Sequence, residues 1–180
     1  MNYFVIQVRT GIEKQFLELA AKSSVLRNIR FIWIRKIADQ KKQGRIKTNL
    51  SSLFPGYLFI ESTNILTEVI LSIKSITGFM RFLRDNQHID PLSMQDQDLI
   101  RYFLSFGEVV GKSKAYFDEQ NRIRVVSGPL QGLEGSIVKV DRRKKRVKVK
   151  LDLYKDAILI NLDFELITEI SLNPDNNGTV

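Results

Sequence analysis

From Arg122 onward the helical periodicity that organises the N-terminal part of the chain gives way to short extended runs: "IRVVSG", "GSIVKVD", "RVKVKLDL" and "AILINLDF", each bounded by turn residues. Four or five short strands within about 50 residues indicate a small β-barrel. Before this region, "SFGEVVGKSKAYFDEQN" (Ser105 to Asn121) loses periodicity and carries small and charged residues, so it reads as a linker between two differently patterned parts.

The N-terminal part alternates two kinds of pattern. Tyr3 to Val8 is β-prone, and Ile12, Phe16, Leu19 and Ala20 then form one helical stripe, with Glu13 near the positive N-terminal end. "IRFIWIRKI" predicts a second strand, "ADQKKQGRIKTNLSS" a polar, basic loop, and "FPGYLFIE" a turn entering a third strand. Leu66, Val69, Ile70 and Ile73 give another helical stripe, "TGFMRFL" a fourth strand, and Ser93 caps a third helical pattern. The order β-α-β-β-α-β plus a trailing helix predicts a split βαβ unit in an α+β protein, with helices on one side of a mostly antiparallel sheet. The expected divisions are 1–104, a linker over 105–121, a β-barrel over 122–170 and a disordered tail over 171–180.

Charge and residue usage narrow the function classes. The chain has 28 Lys and Arg against 20 Asp and Glu, a net charge of +8 that favours a polyanionic partner such as nucleic acid. With no cysteine, disulfides, thiolate zinc sites and cysteine nucleophiles are excluded together. The single histidine, His88, would have to carry any Ser-His device alone, and it sits in a polar loop. Asp85 and Asp90 flank it without a second histidine to complete a metal site, and Asp96 and Asp98 would face different sides of a helix. No catalytic constellation, metal site or cofactor is expected. The opening residues lack the pattern of a signal peptide and no apolar run reaches the ~20 residues of a membrane span, so a cytoplasmic protein with no membrane partner is expected; a monomer is expected as well.

"VSGPLQGLEGSIVKVD" places Gly128, Gly132 and Gly135 before a strand, where they would shape tight bends rather than cradle a phosphate, since no helix follows. The adjacent "DRRKKRVKVK" holds seven cations between Arg142 and Lys150. Arg142 to Arg146 fall at a hairpin tip; Val147 and Val149 point inward and Lys148 and Lys150 outward. Such a face is either a solvated edge guarded by lysines or a phosphate-binding surface.

"RVVSGPLQGLEGSIVKVD" resembles a KOW motif, and the chain as a whole resembles the NusG family of transcription elongation factors. "YFVIQVRTGIEKQ" is similar to that family's opening strand and helix, "LFPGYLFIE" to its central motif, "SITGFMRFL" to the strand after the second helix, and "VKVKLDLYKDAILINLDFELI" to the closing strands of its barrel. The resemblance implies an N-terminal (NGN-like) domain that docks an apolar depression on the clamp helices of RNA polymerase and suppresses pausing, followed by a KOW barrel, with no enzymatic activity. By position it assigns Phe4, Phe54 and Tyr57 to the apolar surface, and Arg9 and Lys74 to the non-template DNA strand.

In general members of the family the KOW domain recruits ribosomal protein S10 or the termination factor Rho through a phenylalanine in an "FGR"-like segment. The matching positions here read Tyr154, Lys155 and Asp156, a departure that argues against Rho and leaves S10 contact open through the Tyr154 ring. The basic stretch instead resembles the LoaP-type processive antiterminators, whose KOW domain is associated with structured RNA. On that resemblance Arg142, Arg143, Lys144, Lys145, Arg146, Lys148 and Lys150 are the candidate contacts to a nascent RNA hairpin. A housekeeping elongation factor and a ribosome-associated KOW protein are the alternatives. An RfaH-like helical C-terminal state is disfavoured by the alternating "RVKVKLDL".

Overall fold

The computed structural model describes residues 1–42, 45–83, 89–153 and 156–167. In the N-terminal part, β1 (Asn2–Val8), β2 (Arg30–Ile32), β5 (Tyr57–Ser62) and β6 (Phe79–Phe82) form a four-stranded antiparallel sheet in the order β2-β5-β1-β6. The crossovers are α1 (Glu13–Lys22) and α2 (Thr67–Ser75), which gives the split βαβ arrangement. Strand alternation divides the apolar run of β1 between two cores. Phe4, Ile6 and Val8 meet Phe16 and Ala20 of α1 and Val69 and Ile73 of α2. Tyr3 and Val5 point the other way, towards Ile100 and Phe103 of α3 (Met94–Leu104). The helices therefore cover both faces of the sheet rather than one. Ser93 caps α3 as expected, its hydroxyl accepting the backbone N–H of Asp96 at 3.2 Å.

The segment expected to be a basic loop is instead a hairpin. "IRFIWIRKI" breaks between β2 and β3 (Arg35–Lys42), and β3 pairs antiparallel with β4 (Arg45–Ser52) from Arg35↔Ser52 to Lys42↔Arg45. The expected linker also contributes strands. β7 (Val109–Val110) runs parallel to β3, and β8 (Ser113–Phe117) belongs to the C-terminal sheet.

That sheet comprises β8, β9 (Ile123–Ser127), β10 (Ile137–Asp141), β11 (Arg146–Leu153) and β12 (Asp156–Leu166), in the order β10-β11-β12-β8-β9, curled into a half-barrel. Val147, Val149, Leu151 and Leu153 of β11 and Ile158, Ile160, Leu162 and Phe164 of β12 are buried at period two. Each such side chain contributes roughly 1.5–3 kcal/mol by leaving water. They share one continuous apolar cluster with Phe54, Phe59 and Phe103, so the half-barrel closes against the α3 face of the N-terminal sheet. His88, Asp85, Tyr154, Lys155 and the 171–180 tail lie outside the described residues.

Candidate functional site

The turn that carries the central aromatics is held by a buried carboxylate. Glu13, at the start of α1, accepts the backbone N–H of Gly56 at 2.7 Å and that of Gly11 at 2.9 Å. Gly56 is left-handed (φ +82°), and a Cβ there would lie 2.8 Å from Thr10 Oγ1. This clamp fixes Phe54, whose ring meets Phe59 and Phe103 edge-on, each with centroids 5.5 Å apart. Phe54 is 1% exposed and Tyr57 is half-buried against the same cluster. Phe4 does not belong to this face. Being one residue out of phase with Tyr3 and Val5, it faces α1 and α2 and is core.

Polar contacts at the edge of the apolar face join the two halves of the molecule. Asp163 of β12, 4% exposed, accepts Arg146 Nε at 2.6 Å and Arg146 Nη2 at 2.9 Å. The same carboxylate lies 3.4 Å from Lys36 Nζ and accepts the Asp39 backbone N–H at 3.3 Å, both on β3. Lys112 Nζ meets Asp39 at 2.6 Å, and the Tyr102 hydroxyl of α3 donates to the Gln131 carbonyl at 2.6 Å. Burial pushes the Asp163 carboxyl up, but Arg146 and Lys36 outweigh it and hold the group below the usual carboxylate range. Burial, together with the nearby Arg146, pushes the Lys36 ammonium down, and Asp163 only partly offsets this. The Lys112 hydrogen bond likewise holds Asp39 low.

The sequence reasoning missed Lys36, Asp39 and Asp163. Asp163 alternates with Leu162 and Phe164 along β12 and so lies on the outer face of the half-barrel, where β3 packs and Arg146 lies alongside.

Of the seven candidate cations at the β10–β11 hairpin, Arg146 is spent on Asp163 and is a structural residue rather than a free contact. Arg143, Lys144, Lys145 and Lys150 are exposed and Lys148 is half-exposed, with no side-chain partner among the described residues. Lys139, opposite Lys148 in the ladder and exposed, extends the same positive face and was not singled out from sequence. Arg142 is exposed but ordered over Phe117.

Gly128 bends the chain as expected (φ +94°), and a Cβ there would come within 2.7 Å of Ser113 Cα. Gly132 is left-handed in open space (φ +79°). Gly135 has neither a left-handed φ nor a close neighbour, so no turn depends on it. Arg9 and Lys74 are both exposed, and the Arg9 backbone N–H reaches Gly78 O at 2.9 Å, just beyond α2. The end of β1 and the end of α2 thus share one corner of the sheet. Among the described residues no group of His, Cys, Asp or Glu is arranged to hold a metal, and no helix is long and apolar enough to cross a membrane.

A split βαβ sheet joined to a half-barrel that carries a cationic hairpin defines a two-part α+β protein. The family model for the transcription termination factor NusG matches residues 1–102, and that for the KOW motif matches residues 119–150. The chain belongs to the NusG family, a non-enzymatic family of transcription elongation and termination factors that work with RNA polymerase. It is 24% identical to the transcription termination/antitermination protein NusG of Thermus thermophilus over 91% of each chain. It is also 24% identical to the Bacillus subtilis protein of the same name, over 94% of this chain and 98% of that one. The solved structure "Domain interaction in Thermotoga maritima NusG" superposes with a TM-score of 0.53 at 19% identity, covering 90% of this chain and 93% of that one.

Proposed function

We propose that this protein is a cytoplasmic antitermination factor of the LoaP type. Its N-terminal domain docks on the clamp helices of RNA polymerase and suppresses pausing, while its KOW domain binds a structured nascent RNA. The observation that carries this reading is the hairpin between β10 and β11, where Arg143, Lys144, Lys145 and Lys150, with Lys139 alongside, face solvent over a wholly apolar inner side. Cations with no side-chain partner among the described residues lose little on meeting phosphates and release counterions when they do. Compact cationic tips suit RNA hairpins, where shape and phosphate contacts dominate recognition.

On the polymerase side, the docking surface comprises Tyr3, Phe54, Tyr57 and Phe59, with Arg9 and Lys74 at the neighbouring corner for the non-template strand. Phe54 is buried in the apolar cluster that this face shares with the half-barrel. Docking therefore requires the two halves to part, and the Asp163 ion cluster governs that step. Once apart, a polymerase-bound N-terminal domain would hold the KOW domain at high local concentration near emerging RNA, so modest affinities suffice.

The test is binding of the full chain to pools of structured RNA at two salt concentrations, beside a variant with Arg143, Lys144 and Lys145 changed to alanine. Selective binding that survives moderate salt and is lost in the variant supports the reading. Weak binding without preference, erased by salt, returns the protein to the general elongation factors, with ribosomal protein S10 the next partner to try.

A further inference from the structure

Arg142 differs from the other cations of the hairpin in how it is held. Its Cζ lies 4.0 Å from the centroid of the Phe117 ring, over the ring face. Its Nη2 donates to the Asn121 carbonyl at 2.8 Å and its Nη1 to Asn121 Oδ1 at 3.3 Å. Neither support is loose. Asn121 adopts a left-handed conformation (φ 62°) inside a turn closed by Asp118, whose carboxylate takes the Arg122 backbone N–H and Arg124 Nε, each at 2.8 Å. Phe117 rests edge-on against the buried Phe164, with centroids 6.1 Å apart. The inner face of the guanidinium and part of its edge are thus occupied, yet the residue is exposed.

We infer that Arg142 is a stacking platform for an unpaired RNA base, flanked by Arg143, Lys144 and Lys145 for the adjoining phosphates. A guanidinium is flat, delocalised and weakly hydrated, so its open face accepts a nucleobase as an aromatic ring does. A lysine at the same place would bring equal charge without the plane. Bases in a duplex are already stacked on their neighbours, so the platform selects loops and bulges over stems and confers a preference that the lysines, as point charges, cannot supply. This inference rests on the RNA-binding reading above and assigns the part of the RNA that is recognised.

The experiment compares the full chain, Arg142→Lys and Phe117→Leu on two RNAs of equal phosphate count, a hairpin with an unpaired loop and a blunt duplex. A third RNA is the hairpin with single loop bases replaced by abasic sites. The native chain is expected to prefer the loop hairpin by about 5- to 150-fold, the factor associated with stacking one base. Arg142→Lys should lose that preference while keeping its salt dependence, and removal of one loop base should weaken the native chain by the same factor and leave Arg142→Lys unaffected. The abasic arm alters only the RNA, so it stays decisive if Phe117→Leu perturbs the fold. Equal binding of loop and duplex by the native chain, or an abasic series without effect, overturns the platform while leaving the RNA-binding reading standing. Failure to bind any of the RNAs overturns both. Equal affinity for a single-stranded DNA of the loop sequence overturns the assignment to RNA.

Discussion

Lys36 and Asp163, separated by 127 positions in sequence, meet at 3.4 Å with both side chains buried. One belongs to the hairpin of the N-terminal domain and the other to the last strand of the half-barrel, and Arg146 completes the cluster from the cationic hairpin. Taking one partner from a buried ionic cluster leaves uncompensated charge and costs about 3–5 kcal/mol. Asp163→Ala strands both Lys36 and Arg146, so it should lower the thermal midpoint markedly and increase capture by RNA polymerase. Lys36→Met leaves the Arg146–Asp163 pair intact and should have the smaller effect on folding while still favouring separation of the halves. An Asp163→Ala protein with unchanged midpoint and unchanged polymerase capture would remove the cluster from any role in closure.

The same cluster sets an expected pH dependence. Asp163 and Asp39 have folded pKa values held below their ordinary 3.8, so each contributes stability that is fully present above that value and is lost as pH falls through the lowered folded value. Lys36 has the opposite balance: burial disfavours its charge, a penalty present at neutral pH that fades as pH rises through its lowered folded value. Closure should therefore be insensitive to pH between about 7 and 5 and fail only below about 4, the region of ordinary aspartate titration. Small-angle scattering from pH 7 down to 3 reads this directly as a late rise in radius of gyration. Expansion already complete at pH 5 would point to a titrating group other than these aspartates.

The glycines of the KOW segment should separate into three outcomes. Gly128→Ala must place a Cβ against Ser113 Cα in a left-handed backbone, so a loss of about 1–3 kcal/mol is expected. Gly132→Ala meets open space and bears only the left-handed penalty, about 1 kcal/mol. Gly135→Ala meets neither obstacle and should lie within about 0.5 kcal/mol of the native chain. Chemical denaturation of the three variants checks the order, and a Gly135 variant as damaging as the Gly128 one would contradict the turn geometry.

Those glycines also mark where a sequence is legible. The split βαβ order could be read because Phe16, Ala20, Val69 and Ile73 repeat at helical spacing against a core that buries them. The β3–β4 hairpin could not. Its pairing is largely with itself and with β7, and in β3 only Ala38 among the described apolar side chains is fully buried, so "ADQKKQGRIKTNLSS" carries no alternation to betray two strands. The phase of β1 is hidden for a related reason: both of its faces are covered, so "YFVI" is apolar throughout, and the packing of Phe4 towards α1 and α2 is invisible until the helices are placed. In the candidate site, the charge of the β10–β11 hairpin was plain from composition. That Arg146 is consumed by Asp163 depends on a contact within a folded sheet, and that Asp163 is buried depends on the other domain.

Lys139 and Lys148 are direct partners across the β10–β11 ladder. Like charges opposite one another destabilise a sheet, whereas an opposite-charge pair contributes about 0.2–1 kcal/mol, so folding alone gives no reason to keep two lysines there. A phosphate partner does, because their combined field is useful only when an anion lies over both. Lys148→Glu should then move two readouts in opposite directions, raising the thermal midpoint of the free protein slightly while weakening RNA binding and reducing the steepness of its salt dependence. Lys148→Gln, which removes repulsion without adding attraction, should fall between the native chain and Lys148→Glu on both scales. If Lys148→Glu lowers the midpoint and leaves RNA affinity untouched, the paired lysines serve the sheet and the cationic face lies elsewhere on the hairpin.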